Sequence, residues 1–302
     1  MTILDGKKVA ADIRAELRGQ VEALKAAGKR VPKLAVVLVG NNPASEVYVA
    51  NKMKACAEVG MEAMKICYPM DISEQTLINE IAKLNSDDTI DGFIVQLPLP
   101  AHINEAAVLS AIDYRKDVDG LTPENVGRTV QGQPSIISAT PRGIRELLAR
   151  YHIPTEGKHV VVIGRSNIVG KPIAMLLMQR PYLSLPGMSA AALGDATVTI
   201  CHSKTQNLSA ICRTADIIIV AAGSPNLLTS DMVREGVTVI DVGINRVEDS
   251  TSPRGYKLVG DVDFERVAKK AAFITPVPGG VGPMTIASLL QNTFQAYNQR
   301  KS

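Results

Sequence analysis

Runs of apolar, β-rich residues alternate with stretches of helical periodicity almost from one end of the chain to the other. That alternation confines the chain to an α/β architecture, a mostly parallel sheet with helices on both faces. In the first half the pattern predicts strands over Leu34 to Val39, Glu62 to Cys67 and Gly92 to Leu97. Helices fall between them, over about Lys7 to Ala27, Ser45 to Val59 and Ser73 to Asn85. In the second half the strands are His159 to Ile163, Thr197 to Cys201, Ile217 to Val220 and Val237 to Val242.

A chain of 302 residues is about two ordinary domains long. Gln131 to Pro134 reads as a loop, and Thr140-Pro141 as the start of a linking helix. The predicted domains are therefore residues 1–143 and 144–282. Thr275 to Met284 is too rich in Pro and Gly for regular structure, and the amphipathic helix after it, 283–302, is expected to complete the first domain.

Composition narrows the function. Apolar residues make up 46% and charged residues 21%, which suits a globular core. The net charge of +3, from 33 basic and 30 acidic residues without blocks, offers no basic stripe for nucleic acid. No uncharged apolar stretch is long enough to span a bilayer, and the N-terminus reads neither as a signal peptide nor as a transit sequence, so no membrane partner is expected and the cytoplasm is the expected location. Cys56, Cys67, Cys201 and Cys212 show no CxxC pairing and read as buried thiols, with no metal site.

Strand His159 to Ile163 runs into Gly164-Arg165-Ser166-Asn167-Ile168-Val169-Gly170 and then Lys171-Pro172, a strand, glycine turn and helix. Gly164 suits the tight turn and Gly170 close helix packing, and free N–H groups at the helix start would receive a pyrophosphate. An ordinary βα connection fits the same spacing. The next strand ends in His202-Ser203-Lys204, where NAD sites usually carry a carboxylate. Hydroxyl and cationic donors there, with Arg165, favour the 2′-phosphate of NADP, although a solvated polar loop has the same composition. The fold class is thus α/β with two domains, an N-terminal α/β catalytic domain and a Rossmann-like NADP-binding domain with a parallel sheet.

On the helix from Ser45, Val49, Met53 and Cys56 form the predicted buried stripe, and Tyr48 and Lys52 stack along one flank of it. Partial desolvation there would favour the neutral amine useful in acid–base chemistry, whereas a lysine that snorkels to solvent fits the spacing equally. Gln96, at a strand's carboxyl end, would face a cleft. Lys116-Asp117-Val118-Asp119-Gly120 carries too few oxygen ligands for a metal loop and reads as a turn, or as an acceptor for an amidine-like ligand edge.

Six segments, YVANK at 48–52, DGFIVQLPLP at 91–100, KDVDG at 116–120, GRSNIVG at 164–170, CHSKT at 201–205 and ITPVPGGVGPMT at 274–285, together resemble the methylenetetrahydrofolate dehydrogenase/cyclohydrolase family in that family's order. The resemblance implies a bifunctional enzyme. NADP+ would oxidise 5,10-methylenetetrahydrofolate to the methenyl cation, which water opens to 10-formyltetrahydrofolate, one cleft serving both steps. By the same resemblance Lys52 is the catalytic lysine, Gln96 holds and tunes it, Tyr48 packs against the folate rings, and Asp119 binds the pterin edge. Leu97, Pro98 and the backbone of Pro278, Gly279, Gly280 and Val281 would line the substrate site. Gly164, Arg165, Ser166, Ile168, His202, Ser203, Lys204, Gly282 and Thr285 would hold NADP. A homodimer through the second domain is also implied. Two features depart from the family. Ala139 stands where many relatives have cysteine, and 179–195 looks like an insertion of about ten residues, which a surface loop tolerates cheaply. Two rivals share the architecture, an NADP-dependent shikimate or amino-acid dehydrogenase and a non-catalytic NADP or folate sensor. The PGGVGPMT loop disfavours the first, and the presence of Lys52, Gln96 and Asp119 disfavours the second.

Overall fold

The computed structural model describes residues 1–181, 193–249, 252 and 255–300. In chain order the elements are β1 (Thr2–Ile3), α1 (Gly6–Ala26), β2 (Lys33–Val39), α2 (Pro43–Val59), β3 (Glu62–Tyr68), α3 (Glu74–Ser86), β4 (Gly92–Val95), α4 (Glu105–Ser110) and α5 (Pro123–Gln131). Then come α6 (Ala139–Arg150), β5 (His159–Ile163), α7 (Gly170–Met178), β6 (Thr197–Cys201), α8 (Leu208–Arg213), β7 (Ile217–Val220) and β8 (Thr238–Asp241). The hairpin β9 (Asn245–Glu248) and β10 (Tyr256–Val259), α9 (Phe264–Val267), β11 (Phe273–Ile274) and α10 (Val281–Gln299) complete the fold.

These elements form two compact units, a first of Ala11–Ala139 with Ile286–Ser302 and a second of Met1–Ala10 with Thr140–Thr285. The C-terminal helix thus groups mainly with the first half of the chain. Met1–Ala10 groups with the second half instead of the first, because Thr2 and Ile3 pair in parallel with Phe273 and Ile274.

The first unit carries a parallel sheet in the order β3-β2-β4. Leu34–Val39 of β2 is buried throughout, as expected of a central parallel strand covered on both faces. Around it Val37, Phe93, Leu77 and Ile81 build one core. The edge strand β3 is only partly covered, and Cys67 lies with Lys65 on its exposed side, so one of the four predicted buried thiols is at the surface. Cys56 and Cys212 are buried, and burial pushes both thiols up to about 12.

The second unit carries a six-stranded parallel sheet, β1-β11-β8-β7-β5-β6, with a core that includes Val161, Ile163, Ile218, Val220 and Val239. Right-handed crossovers from a central strand to neighbours on either side place successive helices on opposite faces, so both sheets are doubly wound. Of the insertion at 179–195, residues 182–192 lie outside the described residues. No helix among the described residues is long and apolar enough to cross a membrane.

Candidate active site

Each sheet has an inner strand whose next two strands in the chain lie on its opposite sides, β2 between β3 and β4, and β5 between β6 and β7. Ligands in such sheets bind beyond the carboxyl ends of the strands where the order reverses. In the first unit the reversal lies between β2 and β4, and in the second between β5 and β7.

Helix α2 leaves the β2 end of the first reversal. Asn42 caps it, accepting from the Ala44 and Ser45 N–H groups at 2.9 and 3.3 Å, and Pro43 supplies the first turn. Asn42→Ala should cost about 1 kcal/mol, read as a lowered unfolding midpoint. The buried stripe consists of Ser45, Val49, Ala55, Cys56 and Val59; Met53, predicted to join it, is half-buried. Tyr48 is 52% exposed and Lys52 is half-buried on the adjoining flank.

Past the end of β4, the Gln96 N–H donates to the Val37 carbonyl at 2.9 Å, which fixes its backbone beside β2. Its side-chain oxygen accepts from Lys52 Nζ at 3.1 Å and its amide nitrogen donates to the Leu97 carbonyl at 2.7 Å. The amide is thereby oriented with its acceptor toward the lysine. Leu97 is half-buried and Pro98 exposed, across a cis peptide bond.

On the other side of β4, the Phe93 N–H donates to the Lys116 carbonyl at 2.9 Å, which lays 116–120 alongside the strand. Lys116 donates to the Leu84 and Asp87 carbonyls at 2.8 and 2.7 Å, closing the end of α3. Asp117 accepts from the Gly120 and Thr122 N–H groups at 2.9 and 2.7 Å and from Asn125 Nδ2 at 3.0 Å, so this carboxylate makes the turn. Gly120 has φ +68°, and a Cβ there would collide with the Ile137-Ser138 backbone. Asp119 is left for other work. Burial pushes its carboxyl above the usual range, Lys52 pulls it back down, and Asp117 raises it further. Lys52, Gln96 and Asp119 therefore share one locality, with Tyr48 one turn away along α2.

At the second reversal Gly164 has φ +127°, and a Cβ would collide with the Ala221 carbonyl at the end of β7. A Cβ on Gly170 would collide with the Gly164 carbonyl, so the turn requires both glycines. One expectation fails here. The Val169 and Gly170 N–H groups donate to Ser166 Oγ at 3.2 and 3.3 Å, and the Lys171 N–H to the Ser166 carbonyl at 3.1 Å, so these donors at the helix start are not free for a phosphate. With two donors on its oxygen, the Ser166 hydroxyl keeps its own hydrogen to give outward. Arg165 and Ile168 are exposed. After β6, the Thr205 hydroxyl accepts from the His202 N–H at 2.8 Å and the Lys204 N–H donates to His202 Nδ1 at 3.2 Å, which leaves Ser203 and Lys204 exposed on a closed turn.

In the second unit's loop before α10, Pro278 is exposed, but Gly279, Gly280 and Val281 are buried, because Gly280 packs against Thr275 and Gly6 and the Gly279 carbonyl accepts from the Lys7 N–H at 3.1 Å. Gly282 is half-buried next to Ile244, and the Thr285 and Thr140 hydroxyls lie 2.9 Å apart. Sequence reasoning passed over Ile244, which is 50% exposed beyond β8. An isolated apolar residue carries no periodic signal.

Residues 4–119 match the family described as Tetrahydrofolate dehydrogenase/cyclohydrolase, catalytic domain, and residues 138–301 match its NAD(P)-binding domain. The chain belongs to the tetrahydrofolate dehydrogenase/cyclohydrolase family. It is 54% identical to Bifunctional protein FolD of Flavobacterium johnsoniae over 100% of this chain and 99% of that one. The crystal structure of the FolD methylenetetrahydrofolate dehydrogenase/cyclohydrolase from Campylobacter jejuni superposes with a TM-score of 0.89 at 49% identity, covering 99% of each chain. The Trypanosoma brucei FolD, solved with NADP cofactor and an inhibitor, gives 0.90 at 38% identity over 100% of this chain and 98% of its own. This family member is accordingly a two-domain α/β enzyme, an oxidoreductase and a hydrolase of tetrahydrofolate derivatives, and the shikimate-type and sensor readings fall away.

Proposed function

We propose that this enzyme oxidises 5,10-methylenetetrahydrofolate with NADP+ and hydrolyses the resulting methenyl cation to 10-formyltetrahydrofolate, using Lys52 for the water step. The observation that carries this is the Lys52–Gln96 hydrogen bond at the first reversal, with Asp119 beside it. Bound NADP+ supplies a hydride acceptor; all else is done by the chain's side chains.

The two glycines let the turn close against its own backbone, and the Ser166 hydroxyl with the positive end of α7 supports a pyrophosphate there. Arg165, His202, Ser203 and Lys204 supply donors and no carboxylate, which favours the 2′-phosphate. Ile168, Ile244, Gly282 and Thr285 complete the cofactor's surroundings in this reading. Asp119 accepts from the N–H edge of the pterin, and Tyr48 offers a ring face to the flat folate system. Leu97 and Pro98 add apolar contact.

Opening the methenyl cation requires water to attack the bridge carbon and lose a proton; the carbon–N5 bond then breaks as the hydroxyl becomes the formyl carbonyl, and its proton passes to N5. Lys52 assists that transfer, and the Gln96 oxygen holds its nitrogen in place. The protein acts as a cytoplasmic homodimer in this reading, and light scattering on purified protein tests the dimer.

The direct test follows methenyl absorbance with methylenetetrahydrofolate and either NADP+ or NAD+, beside hydrolysis of authentic methenyltetrahydrofolate. Turnover should favour NADP+ by about tenfold or more, the size of one charge-assisted contact, and methenyl hydrolysis should exceed the uncatalysed rate. Absence of turnover with both cofactors would overturn the proposal.

A further inference from the structure

Beyond β7 the chain runs through Ala222, Gly223 and Ser224, all exposed. Exposed loop amides ordinarily bond to water. Here all three point at one buried carboxylate. Asp261 is 0% exposed; its Oδ2 accepts from the Ala222 and Gly223 N–H groups at 2.7 and 2.9 Å, and its Oδ1 from the Ser224 N–H at 2.9 Å and Asn245 Nδ2 at 2.8 Å. The loop is one wall of the second reversal, since Ala221 lies against Gly164 and its N–H donates to the Ile163 carbonyl at 2.7 Å.

Asp261 is itself held. Asp241, at the end of β8, accepts from the Asp261 N–H through Oδ1 at 3.0 Å and from the Val262 N–H through Oδ2 at 3.0 Å. The Asp241 N–H donates to the Thr275 hydroxyl at 2.7 Å. A Cβ on Gly243 would collide with the Asp261 carboxylate, and one on Gly260 with that of Asp241. Neither glycine has a positive φ, so closeness to these carboxylates is what demands them.

We propose that Asp261 is a positioning residue for the dehydrogenase reaction: it clamps the Ala222–Ser224 loop in its cofactor-binding shape before the cofactor arrives, with Asp241 holding Asp261 in register. The inference rests on the reading that NADP binds at the β5/β7 reversal. Its physical content is preorganisation, because a loop already fixed gives up little conformational entropy on binding. The carboxylate forms no part of the lysine site, so its loss acts on cofactor affinity and not on methenyl hydrolysis.

Two measurements test the clamp on the full-length protein. In cofactor-free wild type, the Ala222, Gly223 and Ser224 amides should exchange hydrogen far more slowly than their exposure implies. Free exchange that becomes slow only on adding NADP+ would overturn the clamp. In Asp261→Asn, one face of the amide carries N–H donors where the carboxylate accepted, so the NADP+ KM and Kd should rise about tenfold or more while cofactor-independent hydrolysis of methenyltetrahydrofolate stays within about twofold. A folded variant with unchanged NADP+ affinity overturns the clamp alone. Wild-type protein that binds no NADP+ overturns the cofactor site and the clamp together.

Discussion

Lys52→Met should lower methenyl hydrolysis about 10³-fold, the scale of a lost acid–base group and about 4 kcal/mol in barrier. Hydride removal from the methylene bridge involves no proton transfer, so the dehydrogenase step should suffer far less. The methenyl cation should then accumulate in a coupled assay that, in the wild type, ends at the formyl product. A hydrolysis rate equal to wild type would remove Lys52 from the mechanism. The same variant should carry a second signature. Burial holds the Asp119 carboxyl above its ordinary range and Lys52 opposes that shift, so methionine lets the carboxyl rise further. If the carboxylate accepts from the pterin, folate KM should climb as pH falls, and the climb should begin at a higher pH in the variant. A pH profile of KM identical in the two proteins would show that Asp119 does not meet the substrate as a carboxylate.

Gly164→Ala should give the opposite pattern. The residue sits at φ +127°, which side-chain-bearing residues rarely adopt, and the added methyl would meet the Ala221 carbonyl. Relaxing both costs about 3 kcal/mol if the turn must be rebuilt for each binding event, which is about 100-fold in NADP+ affinity. Lys52, Gln96 and Asp119 all belong to the other unit, so hydrolysis of authentic methenyltetrahydrofolate should persist. Titration of cofactor binding beside that hydrolysis assay checks both halves. A variant that keeps wild-type NADP+ affinity would mean that the cofactor does not use this turn.

The elements most legible in the sequence are those whose physics is local or periodic. The continuous apolar run of β2 and the glycine turn after β5 stand where the pattern put them. Two-residue strands such as β1 and β11 have no periodicity to detect, and for that reason the attachment of Met1–Ala10 to the second unit was invisible. Asp117 and Asp119 look equivalent in KDVDG. Only the fold separates them, because Asp117 meets three donors in the turn while Asp119 comes within the electrostatic reach of Lys52. The donors at the start of α7 went wrong for a similar reason: Ser166 follows Gly164 by two residues, and its hydroxyl folds back onto the very N–H groups that helix logic leaves open. Asp261 gave no signal, since its partners are backbone amides of a loop some forty residues earlier in the chain, and no local pattern links the two.

The ends of the 179–195 segment are drawn together. The Asp195 N–H donates to the Gln179 carbonyl at 2.7 Å, the Ala196 N–H to the Leu177 carbonyl at 3.0 Å, and Thr155 bonds both the N–H and the carbonyl of Gly194 at 2.9 and 2.8 Å. Such a pinch isolates β6 from whatever length of chain runs between, because added residues change only the closure entropy of a loop whose ends are already joined. For protein engineering this is a port. A peptide spliced between those ends should leave the strand that leads to Ser203 and Lys204 in its register.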